Sequence, residues 1–376
     1  MPSTEPVLSD QSLSAFRQRR PVLAGLPAVA YTSQAVFELE GAKVFENAWT
    51  FVGFAHELAK AGDVVPVSVG GQPILLIRNN RDEINGFHNV CRHRGTLLVE
   101  APENVGRSVT CPYHRWAYDL DGHLRAAPYF GGPDQQAPEG ISMDEHGLVP
   151  VRTVVWHDWI FVNPGGKAAE FESYAAPLIA RLTDIALSRL RVIGMIDFGV
   201  VRTNWKSLIE NFIEPYHVQF VHARTTSQPL RDHSTFVDGI CIGCSVDLKE
   251  GDSKPSGPGR SRRLDVDSRY LTLFPNFVLG WYAPGQLGVH LNVPLGPDRT
   301  WQRRALYDDG EAEFSASQIE DLKELWRKVH REDHAICERL QQGRRSPVAE
   351  KGGVLSPHWE NGVRRFQELI VEALEG

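Results

Sequence analysis

Short apolar runs alternate with glycine- and asparagine-containing turns along the first half of this 376-residue chain. Runs at 50–54, 64–69 and 73–78 are rich in Val, Ile, Leu and Phe, and dipeptides such as Gly-Asp, Gly-Gly and Asn-Asn separate them. This pattern is typical of short antiparallel strands. Because it continues to residue 162, it predicts a small antiparallel β domain over roughly 50–165.

The composition changes after residue 166, where longer segments with helical spacing alternate with strand-like runs. Together with the β domain, they predict an α+β protein. Near the N-terminus, residues 1–30 are predicted to form a polar arm, and Ser33 is predicted to cap the helix that follows. The elements predicted further along are a strand at 191–203, a helix at 204–222, strands at 271–281 and 288–293, and helices at 316–342 and 361–374.

Composition excludes several classes of partner. Hydrophobic residues make up 42% of the chain and charged residues 23%, and the net charge of −7 argues against a nucleic-acid partner. A basic stretch at 250–263 has few apolar residues and is predicted to be a loop. The chain has no run of 18 apolar residues, no signal-peptide core and only five cysteines, so we expect a cytoplasmic protein without membrane contact.

Two cysteine–histidine pairs, in Cys91-Arg-His93 and Cys111-Pro-Tyr-His114, are the strongest chemical signal. Two thiolates and two imidazoles suit either a tetrahedral zinc ion or a Rieske [2Fe–2S] cluster, in which histidines bind one iron and cysteines the other. Zinc sites usually pair Cys with Cys and His with His, whereas each loop here offers one of each. The spacing therefore favours the iron–sulfur cluster.

A second group of metal-binding residue types occurs in the helix predicted at 204–222, which contains Glu214, His217 and His222. Glu214 and His217 are three positions apart and share a helix face. His217 and His222 are five apart, which places them about 140° apart on a regular helix. Both can bind one metal only if the helix bulges or breaks between them.

A non-haem Fe(II) site with two histidines requires a carboxylate as its third protein ligand. In the helix predicted at 316–342, Asp333 fills a gap in an apolar stripe, where a carboxylate is costly unless it is paired or bound to a metal. Asp333 is therefore preferred over Glu332, which lies about 100° away on the helix. The apolar stripe consists of Leu322, Trp326, Val329, Ile336 and Leu340.

Two further spacings suggest metal sites but lack the required context. His330 and His334 are spaced as in zinc proteases, but Arg331 stands where a glutamate must follow the first histidine, so both are interpreted as surface residues. Cys241 and Cys244 form a C-x-x-C with neither a second pair nor a βαβ context, so they are interpreted as sheet residues that are exposed or packed in its core.

Taken together, these motifs resemble those of the terminal oxygenase (α) subunits of Rieske non-haem iron oxygenases. The resemblance covers nearly the whole chain and implies three segments: a Rieske domain at 48–165, a helix-grip type catalytic domain with an antiparallel sheet at 166–376, and residues 1–47 as its N-terminal part. It rests on both cysteine–histidine pairs, Asn204-Trp-Lys, Glu210-Asn, Glu214-x-Tyr-His217-x4-His222 and Glu332-Asp333.

The resemblance also implies cofactors and partners. Catalytic roles are implied for Glu214 and Asn211, with Glu214 bridging the two metal centres between subunits of a homotrimer. Many relatives have Gly-Asp-x-Tyr-His here, so Glu214 with Pro215 is a departure that the extra methylene of glutamate would offset. Electrons would come from NAD(P)H through a flavin/iron–sulfur reductase or a ferredoxin. The implied ligands are Cys91, His93, Cys111 and His114 for a [2Fe–2S] cluster, and His217, His222 and Asp333 for a mononuclear Fe(II) that uses O2.

The N-terminal segments LPAVAYTSQAVFELE and FVGFAHEL resemble the branch that acts on quaternary ammonium compounds such as glycine betaine, choline and carnitine. This likeness implies a monooxygenase that hydroxylates or oxidatively demethylates its substrate. The alternative is a ring-hydroxylating mono- or dioxygenase for a benzoate-like aromatic acid, whose carboxylate an Arg or Lys would hold. An aromatic wall would suit either substrate. Its candidates are Tyr216, Phe274, Phe277, Trp281 and Tyr282.

Overall fold

The computed structural model describes residues 8–18, 21–133, 141–143, 145–226, 228–247, 267–282, 285–310 and 314–376, so the loop predicted at 250–263 lies outside the described residues. The chain divides into two compact units, Val44–Phe171 and the combination of Met1–Lys43 with Glu172–Gly376. The smaller unit is longer at both ends than the 48–165 expected for it. The Asn163 side chain connects residues near both ends: its Nδ2 donates to the Glu46 and Ala48 carbonyls at 3.0 Å, and its Oδ1 accepts from the Ala168 backbone amide at 3.1 Å.

The N-terminal segment packs rather than forming a polar arm. In its described part, Leu13, Phe16 and Leu26 are buried, so the prediction of an arm over 1–30 is wrong there. Ser33 is confirmed as a helix N-cap, since its hydroxyl accepts from the Val36 amide at 3.3 Å. The elements of this segment are α1 Ser14–Arg17, β1 Leu23–Ala24, α2 Val29–Thr32 and α3 Gln34–Glu40.

The smaller unit is built from two antiparallel sheets. One has the strand order β2-β11-β10-β5-β4-β3-β6, and the other consists of β7, β8 and β9. The predicted strands at 50–54, 64–69 and 73–78 are confirmed as β2, β3 and β4. Within the described residues, the strands of this unit are β2 Thr50–Phe54, β3 Asp63–Val69, β4 Gln72–Arg78, β5 Ile84–His88, β6 Glu103–Asn104, β7 Ser108–Thr110, β8 Ala117–Asp119, β9 Leu124–Ala126, β10 Pro150–Trp156 and β11 Trp159–Asn163.

The larger unit combines helices with an antiparallel sheet of order β12-β18-β17-β16-β15-β14-β13, which confirms the α+β class. Its elements are α4 Phe171–Ile179, β12 Arg191–Val201, α5 Trp205–Ile213, α6 Val218–Val221, β13 His233–Asp238, β14 Cys241–Val246, β15 Ser268–Leu273, β16 Phe277–Tyr282, β17 Gln286–Gly296, β18 Arg299–Asp308, α7 Ala316–Gly343, β19 Val354–Leu355 and α8 Asn361–Glu375. The single strand predicted at 271–281 is instead a hairpin, because Pro275 cannot donate to a sheet and the chain turns there. Across the described residues, no helix has the length and apolar character needed to cross a membrane.

The helix predicted at 204–222 is also two helices, and the reason lies at Pro215. A proline disfavours helical backbone at the preceding residue, and Glu214 is extended with φ −113° and ψ 136°. α5 therefore ends at Ile213. The break precedes both histidines rather than falling between them, so His217 and His222 flank the short helix α6 at its two ends.

The buried stripe of α7 differs from the predicted one in its second half. Ile336 and Leu340 are 37% and 45% exposed. Gln341 is buried instead, and its side-chain Nε2 donates to the Tyr31 carbonyl at 2.9 Å. A polar residue with a buried partner does not stand out in a hydrophobicity pattern, which is why the stripe was misplaced. The buried residues of α7 are Trp326, Val329, His330, Cys337 and Gln341.

A fully buried ion pair joins α3 to α5. The Lys206 ammonium contacts the Glu40 carboxylate, and the two side chains are 0% and 1% exposed. The second Glu40 oxygen accepts from Trp205 Nε1 at 2.8 Å. Burial lowers the pKa of Lys206 and raises the pKa of Glu40, and in each case the partner's charge opposes the effect. The pair therefore anchors the N-terminal segment to the helix that leads to His217.

Replacing Lys206 by Met is expected to destabilise the protein by about 3–5 kcal/mol, because Glu40 then remains as an uncompensated buried charge. The double change Lys206→Met with Glu40→Leu is expected to recover most of this loss. Urea unfolding of the variants measures both effects. Arg331→Met, which removes an exposed ion pair with Glu324, is the control and should cost less than about 1 kcal/mol. A Lys206→Met loss as small as the control's contradicts the anchoring role.

Candidate metal centres

The two cysteine–histidine loops follow the same backbone course. In each loop the cysteine amide donates to the carbonyl five residues later at 2.8 Å, and the amide four residues later donates back to the cysteine carbonyl at 3.0 or 3.1 Å. The residues four positions after Cys91 and Cys111 are Gly95 and Arg115, and both have positive φ, at 77° and 60°. The two turns thus present matched ligand sets on the framework of the smaller unit.

The four side chains of these loops differ in exposure. Cys91 and Cys111 are buried, His93 is half-buried and His114 is exposed. The two imidazole rings lie 4.7 Å apart, and the ring of His93 stacks on Trp116 at 5.1 Å. His93 Nδ1 is buried and has no hydrogen-bond partner among the described residues. A metal ion would satisfy that nitrogen.

The spacing of these donors fits a two-iron cluster better than a single zinc ion. A tetrahedral zinc ion holds its sulfur and nitrogen ligands about 3.3–3.8 Å apart. In the part of the chain that the structure describes, these four donors do not form a group whose ligand atoms all lie within 4.8 Å of one another. A [2Fe–2S] cluster spans a wider gap, with the buried cysteines on one iron and the outer histidines on the other.

Tyr118 places a hydrogen bond on one of the buried sulfurs. Its hydroxyl accepts from the Arg92 amide at 3.0 Å and lies 3.3 Å from Cys91 Sγ. Because the hydroxyl oxygen already accepts from an amide, its proton is available to the sulfur. Burial raises the pKa of Tyr118 well above its ordinary value, which keeps that proton in place.

His217, His222 and Asp333 converge in the larger unit. Among the described residues, they are the one group of at least three donors whose ligand atoms lie within 4.8 Å of one another. Asp333 Oδ1 lies 3.0 Å from His222 Nε2 and 3.6 Å from His217 Nε2. This oxygen is buried and makes no hydrogen bond of normal geometry with a described residue. Donors that point at a common centre in this way fit a metal ion with two histidines and one carboxylate.

A glutamate holds each imidazole from its other side. Glu214 Oε1 lies 2.5 Å from His217 Nδ1, and Glu214 Oε2 accepts from the His217 amide at 3.1 Å. Glu332 Oε2 lies 2.9 Å from His222 Nδ1. Carboxylates at Nδ1 fix the tautomer that leaves Nε2 free to bind a metal. Glu332, the less favoured of the two candidate carboxylate ligands, thus contacts Nδ1 of His222, the nitrogen that points away from the common centre.

The charges of this site favour a protonated His222 when no metal is bound. Burial lowers the pKa of His222, but Asp333 and Glu332 outweigh burial and raise it to about 9. Burial raises the pKa of Asp333, but His222 and His217 outweigh that effect and lower it. Metal binding must therefore displace a proton from His222.

The three donors line a cavity in the larger unit. Its wall is formed by α5, α6, α7 and one face of the large sheet. Asn211, predicted to be catalytic, lies in this wall together with Glu214. The other aromatic and cationic side chains of the wall are Phe212, His233, Tyr270, Tyr282, His290, Arg304, Trp326, His330 and His334.

Of the five aromatic residues predicted to line a substrate pocket, only Tyr282 lies in this wall. Successive side chains of a strand point to opposite faces of the sheet, so Phe277 and Trp281 on β16 point away from the face that Tyr282 occupies. On that opposite face, the guanidinium carbon of Arg269 lies 4.9 Å from the centroid of the Trp281 ring.

The remaining two aromatic candidates lie outside the cavity wall for different reasons. Phe274 follows β15 and packs against Phe366 of α8, with ring centroids 5.9 Å apart. Tyr216 lies at the helix break and is 46% exposed. The apolar stretches of the sequence that suggested these residues did not reveal which face of the sheet each one occupies.

The interpretation of His330 and His334 as surface residues is wrong. His330 is 4% exposed and stacks on Phe198 at 4.2 Å. His334 Nε2 lies 2.7 Å from Gln302 Oε1 in the cavity wall. The missed signal is their spacing from Trp326, since residues four apart share one helix face and Trp326 marks the buried one.

The cysteines of the C-x-x-C spacing do not form a metal-binding pair. Cys241 and Cys244 are both buried on β14, and their odd separation sends their side chains to opposite faces. Only Cys244 lies in the cavity wall among the lining residues described. Burial raises the pKa of Cys241 to about 12, so this thiol stays protonated.

Comparisons with known proteins match both halves of the chain. Residues 167–376 match the family described as the ring hydroxylating alpha subunit (catalytic domain), and residues 48–137 match the Rieske [2Fe-2S] domain. The glycine betaine monooxygenase oxygenase subunit of Chromohalobacter salexigens is 33% identical over 57% of this chain, and the match covers 46% of that relative's length. The carnitine monooxygenase oxygenase subunit of Escherichia coli is 29% identical over 93% of this chain and 94% of its own.

Solved structures share the fold. The quaternary ammonium Rieske monooxygenase CntA in complex with L-carnitine superposes with a TM-score of 0.77 over 99% of both chains, at 24% identity. Naphthalene 1,2-dioxygenase from Rhodococcus, bound to indole, superposes with a TM-score of 0.76 over 93% of this chain and 94% of its own, at 20% identity.

Tyr118→Phe is expected to lower the reduction potential of the cluster by on the order of 40 mV, because one hydrogen bond of about 1 kcal/mol to Cys91 is lost at a one-electron centre. A redox titration followed by electron paramagnetic resonance measures the shift. Tyr113→Phe is the matched control, because its hydroxyl contacts Arg94 and not a cysteine. Equal potentials in the Tyr118→Phe and wild-type proteins would show that this hydroxyl does not act on the cluster.

Binding of Co(II) to protein that holds the cluster but no second metal is expected to tighten by up to tenfold per pH unit between about pH 6.5 and 9. The affinity rises with pH because the raised pKa of His222 keeps this residue protonated in this window, so that each bound ion displaces one proton. Calorimetric titrations in buffers of different ionisation enthalpy count that proton. Glu332→Gln should flatten the pH dependence, and an affinity that does not vary with pH contradicts the proton displacement.

Proposed function

This chain belongs to the ring-hydroxylating alpha-subunit family of Rieske oxygenases, and we propose that it acts on a quaternary ammonium compound such as a betaine. Its family implies an oxidoreductase with a Rieske cluster, a mononuclear iron and O2 as cosubstrate. The proposed reaction is an O2-dependent hydroxylation or oxidative demethylation. The observation that carries the proposal is the convergence of His217, His222 and Asp333 in the wall of a cavity that is partly aromatic.

The residues of the second centre have separate tasks in this reaction. Bound by His217, His222 and Asp333, a ferrous ion supplies the capacity to activate O2. Glu214 and Glu332 hold the protons on the Nδ1 atoms of the two histidines and so orient both rings. Because the donors lie in the cavity wall, a substrate in the cavity is held beside the metal position and away from bulk water.

Glu214 is also proposed to connect this centre with the Rieske domain of a neighbouring subunit in a homotrimer. Its contact with His217 Nδ1 supports one half of that role. Electrons would come from NAD(P)H through a reductase or ferredoxin partner. None of the five cysteines, which all lie among the described residues, is in a disulfide, and this supports a reducing compartment such as the cytoplasm.

The aromatic part of the cavity supports a substrate with a trimethylammonium group. Phe212 and Tyr270 meet edge to face in the wall, with ring centroids 5.5 Å apart. Aromatic faces attract quaternary ammonium groups through cation–π interactions. Two of the relatives are named as monooxygenases of glycine betaine and carnitine, which supports the same substrate class. The same wall would also accept the ring of a benzoate-like acid, which is the second candidate.

Incubation of the iron-loaded protein with O2, a surrogate reductase and a panel of betaines and aromatic acids tests the proposal. We expect substrate-dependent O2 uptake coupled to formaldehyde release for a betaine, or to a hydroxylated product. Asp333→Ala should abolish product while the cluster's visible spectrum is retained. Asp321→Ala, on an exposed face of α7, is the matched control and should be as active as wild type. Product formation by the Asp333→Ala protein contradicts the proposed centre.

A further inference from the structure

Arg304 is a buried cation in the cavity wall for which the described residues offer no counter-ion. It lies on β18 with 0% exposure, and its Nε, Nη1 and Nη2 atoms are all buried without a hydrogen bond of normal geometry to a described residue. Guanidinium groups stay charged in proteins. A buried charge is costly unless it is paired. The Arg304 guanidinium is therefore expected to bind an anion that the wall itself does not supply.

The carboxylates of the cavity wall are already engaged by histidines. Glu214 contacts His217 Nδ1, and Asp333 faces the Nε2 atoms of His217 and His222. Neither makes an ion pair with Arg304 within the distance of a salt bridge, so neither carboxylate neutralises the guanidinium.

The sheet is shaped to hold this guanidinium in place. Gly280 and Gly288 pair across β16 and β17. A Cβ atom on Gly288 would lie 2.2 Å from Arg304 Nη2, and one on Gly280 would lie 2.3 Å from the Tyr282 hydroxyl. The two glycines therefore open a trough that the ends of Arg304 and Tyr282 fill. The guanidinium carbon lies 3.4 Å from the centroid of the Trp326 ring, so one face of the group is covered.

His290 places a second unpartnered polar atom beside this trough. It pairs with Arg304 across β17 and β18, it lies in the same wall, and its Nε2 atom is buried without a hydrogen-bond partner among the described residues. Burial lowers the pKa of His290 well below its ordinary value, with Arg304 acting in the same direction, so its ring is neutral. A neutral imidazole can donate one hydrogen bond to an anion without competing with the guanidinium for it.

We propose that Arg304, with His290 beside it, binds the carboxylate of the substrate. This inference rests on the proposed function and sharpens its substrate class: the substrate is an acid, as a betaine or a benzoate-like compound is, and not an amino alcohol such as choline. The ammonium end of a betaine would contact the neighbouring pair Phe212 and Tyr270, since the Phe212 ring lies 5.0 Å from the His290 ring.

Equilibrium binding to matched ligand pairs tests the proposal without turnover. Glycine betaine is compared with choline, and benzoate with benzamide, by calorimetric titration of the cluster-loaded protein. Arg304→Met is expected to weaken binding of whichever acid the wild type binds by roughly 30-fold or more, because a buried charged hydrogen-bond donor is removed. Arg304→Lys, which keeps the charge but not the planar fork, should give an intermediate loss.

Arg303→Met is the matched control, since Arg303 is the next residue of the same strand and its side chain belongs to the opposite face of the sheet. It should leave affinity for the acids unchanged. The unfolding temperature without ligand separates a structural role from a ligand-binding one. Removal of an unpaired buried charge should leave the Arg304→Met protein as stable as wild type or more so, whereas removal of a structural arginine should lower its unfolding temperature.

Several results would overturn the proposal. They are wild-type binding of choline or benzamide as tight as that of the matching acid, wild-type binding of neither acid, and acid affinity in Arg304→Met that stays at the wild-type value. An Arg304→Met protein that unfolds earlier and loses acids and neutral ligands equally would also overturn it. Turnover is measured separately. If the protein binds acids through Arg304 but never oxidises them, the proposed activity on acids is contradicted. If it oxidises choline at the same rate with and without Arg304→Met, this inference alone is contradicted.

Discussion

The arrangement of the larger unit depends on one contact, in which His222 lies between two carboxylates of α7. Asp333 approaches its Nε2 atom at 3.0 Å, and Glu332 approaches its Nδ1 atom at 2.9 Å. Adjacent residues of a helix point about 100° apart, so an imidazole that enters between them meets a carboxylate on each side. This contact joins segments 110 residues apart in the chain and brings α6 to the face of α7 that carries Asp333.

The second histidine reaches the same centre because α5 stops early. Pro215 ends that helix, Glu214 becomes extended, and its carboxylate then caps the His217 amide while it also holds the His217 ring. A continuous helix would have turned His217 and His222 about 140° apart. In the structure both histidines instead cap the short helix α6, and their Nε2 atoms face the same Asp333 oxygen.

Chemistry was easier to predict from this sequence than placement. The residue types and spacings at Cys91 and Cys111 and at His217 predict metal ligands because few other roles need such residues so close together, and the predicted donors of the larger unit do converge. The helix break was predicted at the wrong position, because propensity alone does not say which side of a histidine pair will break. Placement in the sheet failed for Phe277 and Trp281, since a strand buried on both faces shows no alternation that would separate cavity from core.

Buried charge was the least predictable feature. Arg304 follows Arg303 in the sequence, and nothing in that pair indicates that one side chain is 0% exposed in a cavity wall. His330 was misplaced for the same reason, because polar residue types are mostly found at surfaces. The burial of such residues becomes visible only when the fold shows which faces of β18 and α7 line the cavity.

Iron and acid-labile sulfide, counted per chain in the wild-type and Asp333→Ala proteins, test the two-centre arrangement most directly. We expect the wild type to hold one two-iron cluster with its two sulfides and one further iron. The variant should lose only the further iron and keep the cluster. Stoichiometric zinc without sulfide in the wild type, or an unchanged iron count in the variant, would contradict the assignment of the two centres.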